Sequence, residues 1–218
     1  MIPLVTLESM AASLPDADID TDIIYPARFL LITEREGLGR YAFHDRRSAA
    51  DFPVCELSAT DVEILVCGSN FGCGSSREQA VWALAGLGLR LLIAPSFGEI
   101  FRANCGKNGV LAITQPDEMV DRLHAAARAG ERFSLDLVRC TLDVASIGTV
   151  SFPVAEDVRQ SLLNGWDETA RIRALHSDDI DRFEAAQRKT APWLWTRADA
   201  PQPTDIQTGV SHARRPLA

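Results

Sequence analysis

The sequence predicts an α/β fold with a mixed sheet, on three observations. Short apolar runs alternate with helical patterns in the middle of the chain, β-type alternation takes over after Gly130, and helical periodicity returns near the end. In order, Asp61 to Cys67 (DVEILVC) is an apolar run closed by the turn residues of GSNFG, as a buried strand would be. REQAVWALAGLGL, from Arg77, carries apolar residues at helical spacing. Arg90 to Ser96 (RLLIAPS) repeats the strand signature, Ser96 to Asn104 (SFGEIFRAN) reads as a short helix, and Asn108 with Gly109 turns the chain into the strand VLAIT. Together these make a βαβαβ unit, for which a right-handed parallel arrangement is strongly favoured. DEMVDRLHAAARAG, from Asp117, is a helix with an acidic first turn and Gly130 as terminator. FSLDLV, TLDVA and TVSFPV suggest antiparallel strands, and AEDVRQSLLNGW and SDDIDRFEAAQRK are helical. The last stretch, RADAPQPTDIQTGVSHARRPLA, has no periodicity and is expected to be a disordered or loosely docked tail.

With 218 residues, 46% hydrophobic and 24% charged, the chain can bury one substantial core, with room for a smaller appendage. A net charge of −8, from 22 basic against 30 acidic residues, leaves no basic face for phosphate backbones, so nucleic acid is not an expected partner. No apolar run reaches the roughly 20 residues of a membrane helix, and MIPLVTLESM lacks the features of a secretory signal; the expected compartment is the cytoplasm. Five cysteines (55, 67, 73, 105 and 140) are an odd number without a CxxC pair. That argues against a disulfide framework and against a self-contained zinc or iron–sulfur site. Cys55, Cys67, Cys105 and Cys140 read as buried small hydrophobes, while Cys73 lies inside a glycine loop. Of the histidines, His44, His124, His176 and His212, most are expected on the surface. Asp16, Asp18, Asp20 and Asp22 fall at every second position but lack the glycine and terminal glutamate of a calcium loop, so a turn entering a helix or strand is the expected use.

The loop FGCGSSREQA concentrates the chemistry. Ser75 followed by Glu78 fits a capping box, which would start the helix. Capping alone requires one hydroxyl, and leaves Gly72, Gly74, Ser76 and Arg77 without a purpose. Glycines let successive amides converge, a helix N-terminus adds partial positive charge, and Arg77 offers a fork, so a carboxylate or phosphate would be cradled here. The spacing is neither that of a phosphate loop nor that of a dinucleotide fingerprint, and GxSxG is absent. Anion binding and a purely structural cap both remain open on residue types.

GSNFGCGSSREQAVWAL and IAPSFGEIFRANCGKNGVLAI resemble the 3-isopropylmalate dehydratase small-subunit family, which corresponds to the swivelling domain of aconitase. DIDTDIIYPARFL, GLGRYAFHDRR and SLLNGWDETA extend the likeness to about Trp195. The resemblance implies a swivelling β/β/α domain over residues 1–196, with 197–218 as tail, and interconversion of 2- and 3-isopropylmalate in leucine biosynthesis. It also implies a separate large subunit holding a [4Fe–4S] cluster, with none bound by this chain, and a small dicarboxylate substrate. By the same match Ser75 is the catalytic base, Ser76, Arg77, Gly72 and Gly74 hold substrate, and Phe29, Leu30 and Leu31 line a specificity loop.

Two departures stand out: Leu31 occupies a position where bacterial members commonly carry lysine, and Gln79 replaces the histidine of SSREHA. They keep open a sister dehydratase acting on another 2-alkylmalate or a methyl-substituted maleate. A non-catalytic anion-binding module is the third reading. Trp193 and Trp195 are expected to help dock the partner.

Overall fold

A seven-stranded mixed sheet, in the order β4-β3-β2-β1-β5-β6-β7, organises the chain. The computed structural model describes residues 1–47, Phe52 and 62–195. Cys55, His212 and the proposed tail lie outside the described residues. The parallel half consists of β1 (Thr6–Leu14), β2 (Val62–Cys67), β3 (Leu91–Ala94) and β4 (Leu111–Thr114). The antiparallel half runs from β1 through β5 (Arg132–Asp136), β6 (Thr141–Val144) and β7 (Gly148–Ser151). This agrees with the expected α/β class and with the βαβαβ unit.

The strand absent from the sequence reading is the seam between the halves. β1 pairs parallel with β2 and antiparallel with β5. Its pairing with β2 is irregular between Met10 and Ala11, and there Ser9, 2% exposed, accepts the Glu63 amide at 2.8 Å. A bulge breaks the period-two pattern that marks a strand, and the buried positions of TLESMAASL include the polar Ser9 while Thr6 and Glu8 are exposed, so its hydropathy does not alternate along the whole strand.

Alternation along the strands feeds two cores. On one face Leu14, Leu65 and Leu92 pack with α1 (Thr21–Ile24), α2 (Glu78–Gly86) and Phe101 of α3 (Glu99–Lys107). On the other Ala11, Ile64, Val66 and Ile93 pack with Val120 and Leu123 of α4 (Asp117–Arg128) and Leu162 of α5 (Glu156–Asn164). α3 begins three residues later than SFGEIFRAN suggests, because Ser96 and Gly98 pair with Asn70 and Phe71 instead.

Met1–Arg171 forms one compact unit, and a second begins at Ile172. α6 (Glu168–Thr190) loses helical geometry at His176. Beyond it the helix buries no residue and carries Asp179–Arg182 and Glu184–Arg188 pairs at helical spacing, which support an exposed helix.

His44 and His176 are exposed as expected, whereas His124 is inside at 4% exposure, with its Nδ1 2.9 Å from Ser13 Oγ. Burial, then nearby Arg128, lowers its pKa, against the opposing Asp121 and a backbone hydrogen bond at Cys67. The unfolded ring takes a proton near pH 6.5 while the folded one resists it, so the unfolded state binds more protons just below that pH. Stability is expected to fall as pH drops below about 6.5 towards the depressed folded pKa. Urea unfolding at pH 7.5 and 5.5 checks this: His124→Gln should flatten the difference, and an unchanged difference would exclude the ring as its source.

Candidate active site at the ends of the first two strands

Two loops leave the carboxyl ends of neighbouring parallel strands, the usual place for ligand sites in open α/β sheets. Leu14 and Cys67 are partners in register, and backbone pairing continues beyond them. Asp18 donates to the Ser69 carbonyl at 2.9 Å, Gly72 to Ile19 at 2.7 Å, and Thr21 to Cys73 at 3.0 Å. The third strand's loop joins on the far side, where Phe71 donates to Ser96 at 3.1 Å and Gly98 to Phe71 at 2.9 Å. The loop 68–77 is thus fixed on both edges, and its tip is presented to solvent.

That tip is Gly74, Ser75 and Ser76, all exposed, with Arg77 half-buried behind them. Thr21, 1% exposed, places its Oγ1 3.1 Å from the Ser75 carbonyl oxygen and 3.2 Å from Ser75 Oγ. Arg77 Nη1 donates to Asp22 Oδ1, and Asp20 caps α1 by accepting the Ile23 amide at 2.7 Å. Three consecutive residues therefore serve the site in three ways. The every-second-residue aspartates are dispersed: Asp16 pairs with Arg46, Asp18 accepts from Asn70, Asp20 caps, and Asp22 holds Arg77. Thr21 and Asp22 are the site neighbours that residue-type reasoning missed. Their only signal was the likeness of DIDTDIIYPARFL to the family.

The capping box does not form. The N-cap of α2 is Arg77, with no side-chain cap bond, and Glu78 accepts instead from Asn108 Nδ2 at 2.8 Å. Asn108 in turn accepts from Trp82 Nε1 at 2.9 Å, so Glu78 is committed to a bridge between α2 and the end of α3. Ser75 lies outside the helix, and its hydroxyl is not spent on the helix amides.

The glycines divide. Gly74, at φ +89°, sits in the exposed tip. Gly72 is buried, its amide is taken by Ile19, and a Cβ there would come within 2.2 Å of the Phe101 ring. Gly72 therefore shapes the loop from beneath and does not offer its amide to a ligand, a correction to its expected binding role.

The expected apolar wall divides as well. Phe29 packs on Tyr41 with ring centroids 4.5 Å apart, Leu30 packs against the core, and Leu31 alone stands out at 93% exposure. Cys73 is not an activated thiol, because burial, then Asp20 and Asp18, raises its pKa.

The described residues do not fit an iron–sulfur cluster. No three of their His, Cys, Asp and Glu side chains converge as a metal site. Cys67 and Cys105 are fully buried, and burial pushes both thiols up, which disfavours the thiolates a cluster needs.

Residues 1–118 match the family model of the aconitase C-terminal domain. Residues 175–196 match the model of the C-terminal domain of the 3-isopropylmalate dehydratase small subunit. The 3-isopropylmalate dehydratase small subunit of Paramagnetospirillum magneticum is 40% identical over 197 residues, covering 87% of this chain and 98% of that one. The chain belongs to the 3-isopropylmalate dehydratase small-subunit family. The family's small subunit from Dinoroseobacter shibae is 42% identical, over 86% of this chain and 97% of its own. A crystal structure of 3-isopropylmalate dehydratase from Methanocaldococcus jannaschii has a TM-score of 0.62 at 23% identity, covering 82% of this chain and 99% of that one, which establishes the shared fold. Among the described residues no helix is long and apolar enough to cross a membrane.

Proposed function

We propose that this chain acts as the small subunit of a heteromeric hydro-lyase that interconverts 2- and 3-isopropylmalate in leucine biosynthesis, with Ser75 as base. The observation that carries the reading is the loop tip, where one exposed hydroxyl rests on a buried threonine beside an arginine and the start of a nine-residue helix. A serine hydroxyl is a poor base in water, and positive charge from Arg77 and from the helix N-terminus favours its deprotonated form. Having released its own proton to solvent, Ser75 Oγ takes a proton from the carbon next to a carboxylate. The C–H electron pair becomes the new double bond as the hydroxyl leaves the neighbouring carbon. Gly74, Ser76 and Arg77 hold the carboxylate, with Asp22 keeping the Arg77 fork in place.

The family likeness implies a [4Fe–4S] cluster in the large subunit, which supplies the Lewis acid for the departing oxygen. This chain accounts for the proton and the carboxylate. An open loop tip leaves a dicarboxylate in water until a second surface covers it, in keeping with a heteromeric enzyme. Leu31 is proposed to meet the variable alkyl group, with Phe29 and Leu30 fixing its backbone, and Trp193, 69% exposed, to face the partner. The proposed compartment is the cytoplasm.

Anaerobic co-purification with the large subunit, followed by assay of a panel of 2-alkylmalates, tests the reading. The pair is expected to turn over with isopropyl preferred, and this chain alone to be inactive. Preference for another alkyl group would favour the sister dehydratase that Leu31 and Gln79 leave open. A silent but assembled pair would favour an anion-binding module.

A further inference from the structure

We infer that Thr21 is a positioning residue for Ser75, holding its hydroxyl in place and stabilising its deprotonated form by a hydrogen bond. The inference rests on the reading of Ser75 as base. Thr21 Oγ1 lies 3.1 Å from the Ser75 carbonyl oxygen and 3.2 Å from Ser75 Oγ. One hydroxyl proton thus has two acceptors within reach, on the same residue. While Ser75 keeps its proton, Thr21 donates to the carbonyl and can accept from Ser75 Oγ. Once Ser75 is ionised, a rotation about the Thr21 C–O bond turns the same proton onto the oxyanion, with no movement of heavy atoms. A hydrogen bond to the charged form favours that form and lowers the pKa.

Thr21 is well suited to this because it cannot drift. It is 1% exposed, its amide is bound to the Cys73 carbonyl at 3.0 Å, and its own carbonyl accepts from Tyr25 at 2.9 Å. β-Branching restricts its χ1, so the hydroxyl is held at one place against an otherwise exposed serine. The groups nearby divide by charge: Asp20 accepts the Ile23 amide on one side, and Asp22 is paired with Arg77 on the other. Neither aspartate offers a proton to Ser75, which leaves Thr21 as the side-chain donor at hydrogen-bond distance among the described residues.

Thr21→Val keeps the shape and removes the hydroxyl, and Thr21→Ser keeps the hydroxyl. Both are compared with the unaltered chain and with Ser75→Ala in the assembled enzyme. Thr21→Val is expected to lower kcat by about tenfold or more, since a hydrogen bond to a charged group is lost, with KM within about twofold of normal. The rising limb of its kcat–pH profile should move to higher pH, and Thr21→Ser should restore both kcat and profile. Normal kcat and profile in Thr21→Val, with Ser75→Ala inactive, would overturn the inference and leave the base reading standing. Equal losses in Thr21→Val and Thr21→Ser would also overturn it, by assigning the effect to packing. Full turnover by Ser75→Ala would overturn both.

Discussion

Ser75→Ala is expected to lower kcat in the assembled enzyme by about 10²–10⁴-fold, the usual contribution of a positioned proton-transfer group, with folding and subunit pairing unchanged. The contrast follows from where Ser75 sits. It is exposed and lies two residues before the N-cap of α2, so its removal costs no helix amide its partner. Its carbonyl, which holds the Arg77 amide at 2.8 Å and the Thr21 hydroxyl, is backbone and survives the change. KM should change little if Arg77 and Ser76 hold the carboxylate. Steady-state kinetics and thermal unfolding on the same preparation separate the cases: a variant that turns over normally ends the proposal, and one that unfolds early would mean the hydroxyl is structural.

Gly72→Ala is expected to damage the site from beneath and to lower stability. Gly72 has φ +73°, a left-handed conformation costing a non-glycine residue about 1–2 kcal/mol. A methyl there meets the Phe101 ring at 2.2–2.7 Å, and overpacking of that kind typically costs about 1–3 kcal/mol more. The ring has little room to yield, being 3% exposed and set edge-on to Phe71 at 5.7 Å. Gly74→Ala is the internal control. Its Cβ would have only ordinary contacts, at 3.5 Å to Asp20 Cβ and 3.7 Å to Thr21 Oγ1, so backbone strain alone remains. The Gly72 variant should therefore show a Tm lower by at least about 5 °C and lower than that of the Gly74 variant. Equal Tm values would mean that the ring gives way.

β2, β3 and β4 were legible because they are short, mostly apolar and separated by helices. β1 was not, because one of its buried positions is the polar Ser9 and the bulge at Met10 and Ala11 shifts the phase of the alternation. At the site, local pattern misled where tertiary partners competed. Ser75 and Glu78 have capping-box spacing, yet Asn108 and Thr21 engage them first. PheLeuLeu reads as one apolar wall, but Tyr41 draws Phe29 inward and leaves Leu31 out. The ties from Thr21 and Asp22 to the glycine loop span more than fifty residues, beyond the reach of any local spacing rule.

The sheet is laid down from its centre outward. β1 precedes both of its neighbours in the chain and lies between them, and they start only at Val62 and Arg132. β1 therefore stays without one neighbour until Val62–Cys67 have been made and without the other until Arg132–Asp136 have been made, and long-range closure of this kind is slow. The Ser75 hydroxyl inherits that delay, since Thr21, which bonds it, follows the first strand while the loop that bears it follows the second.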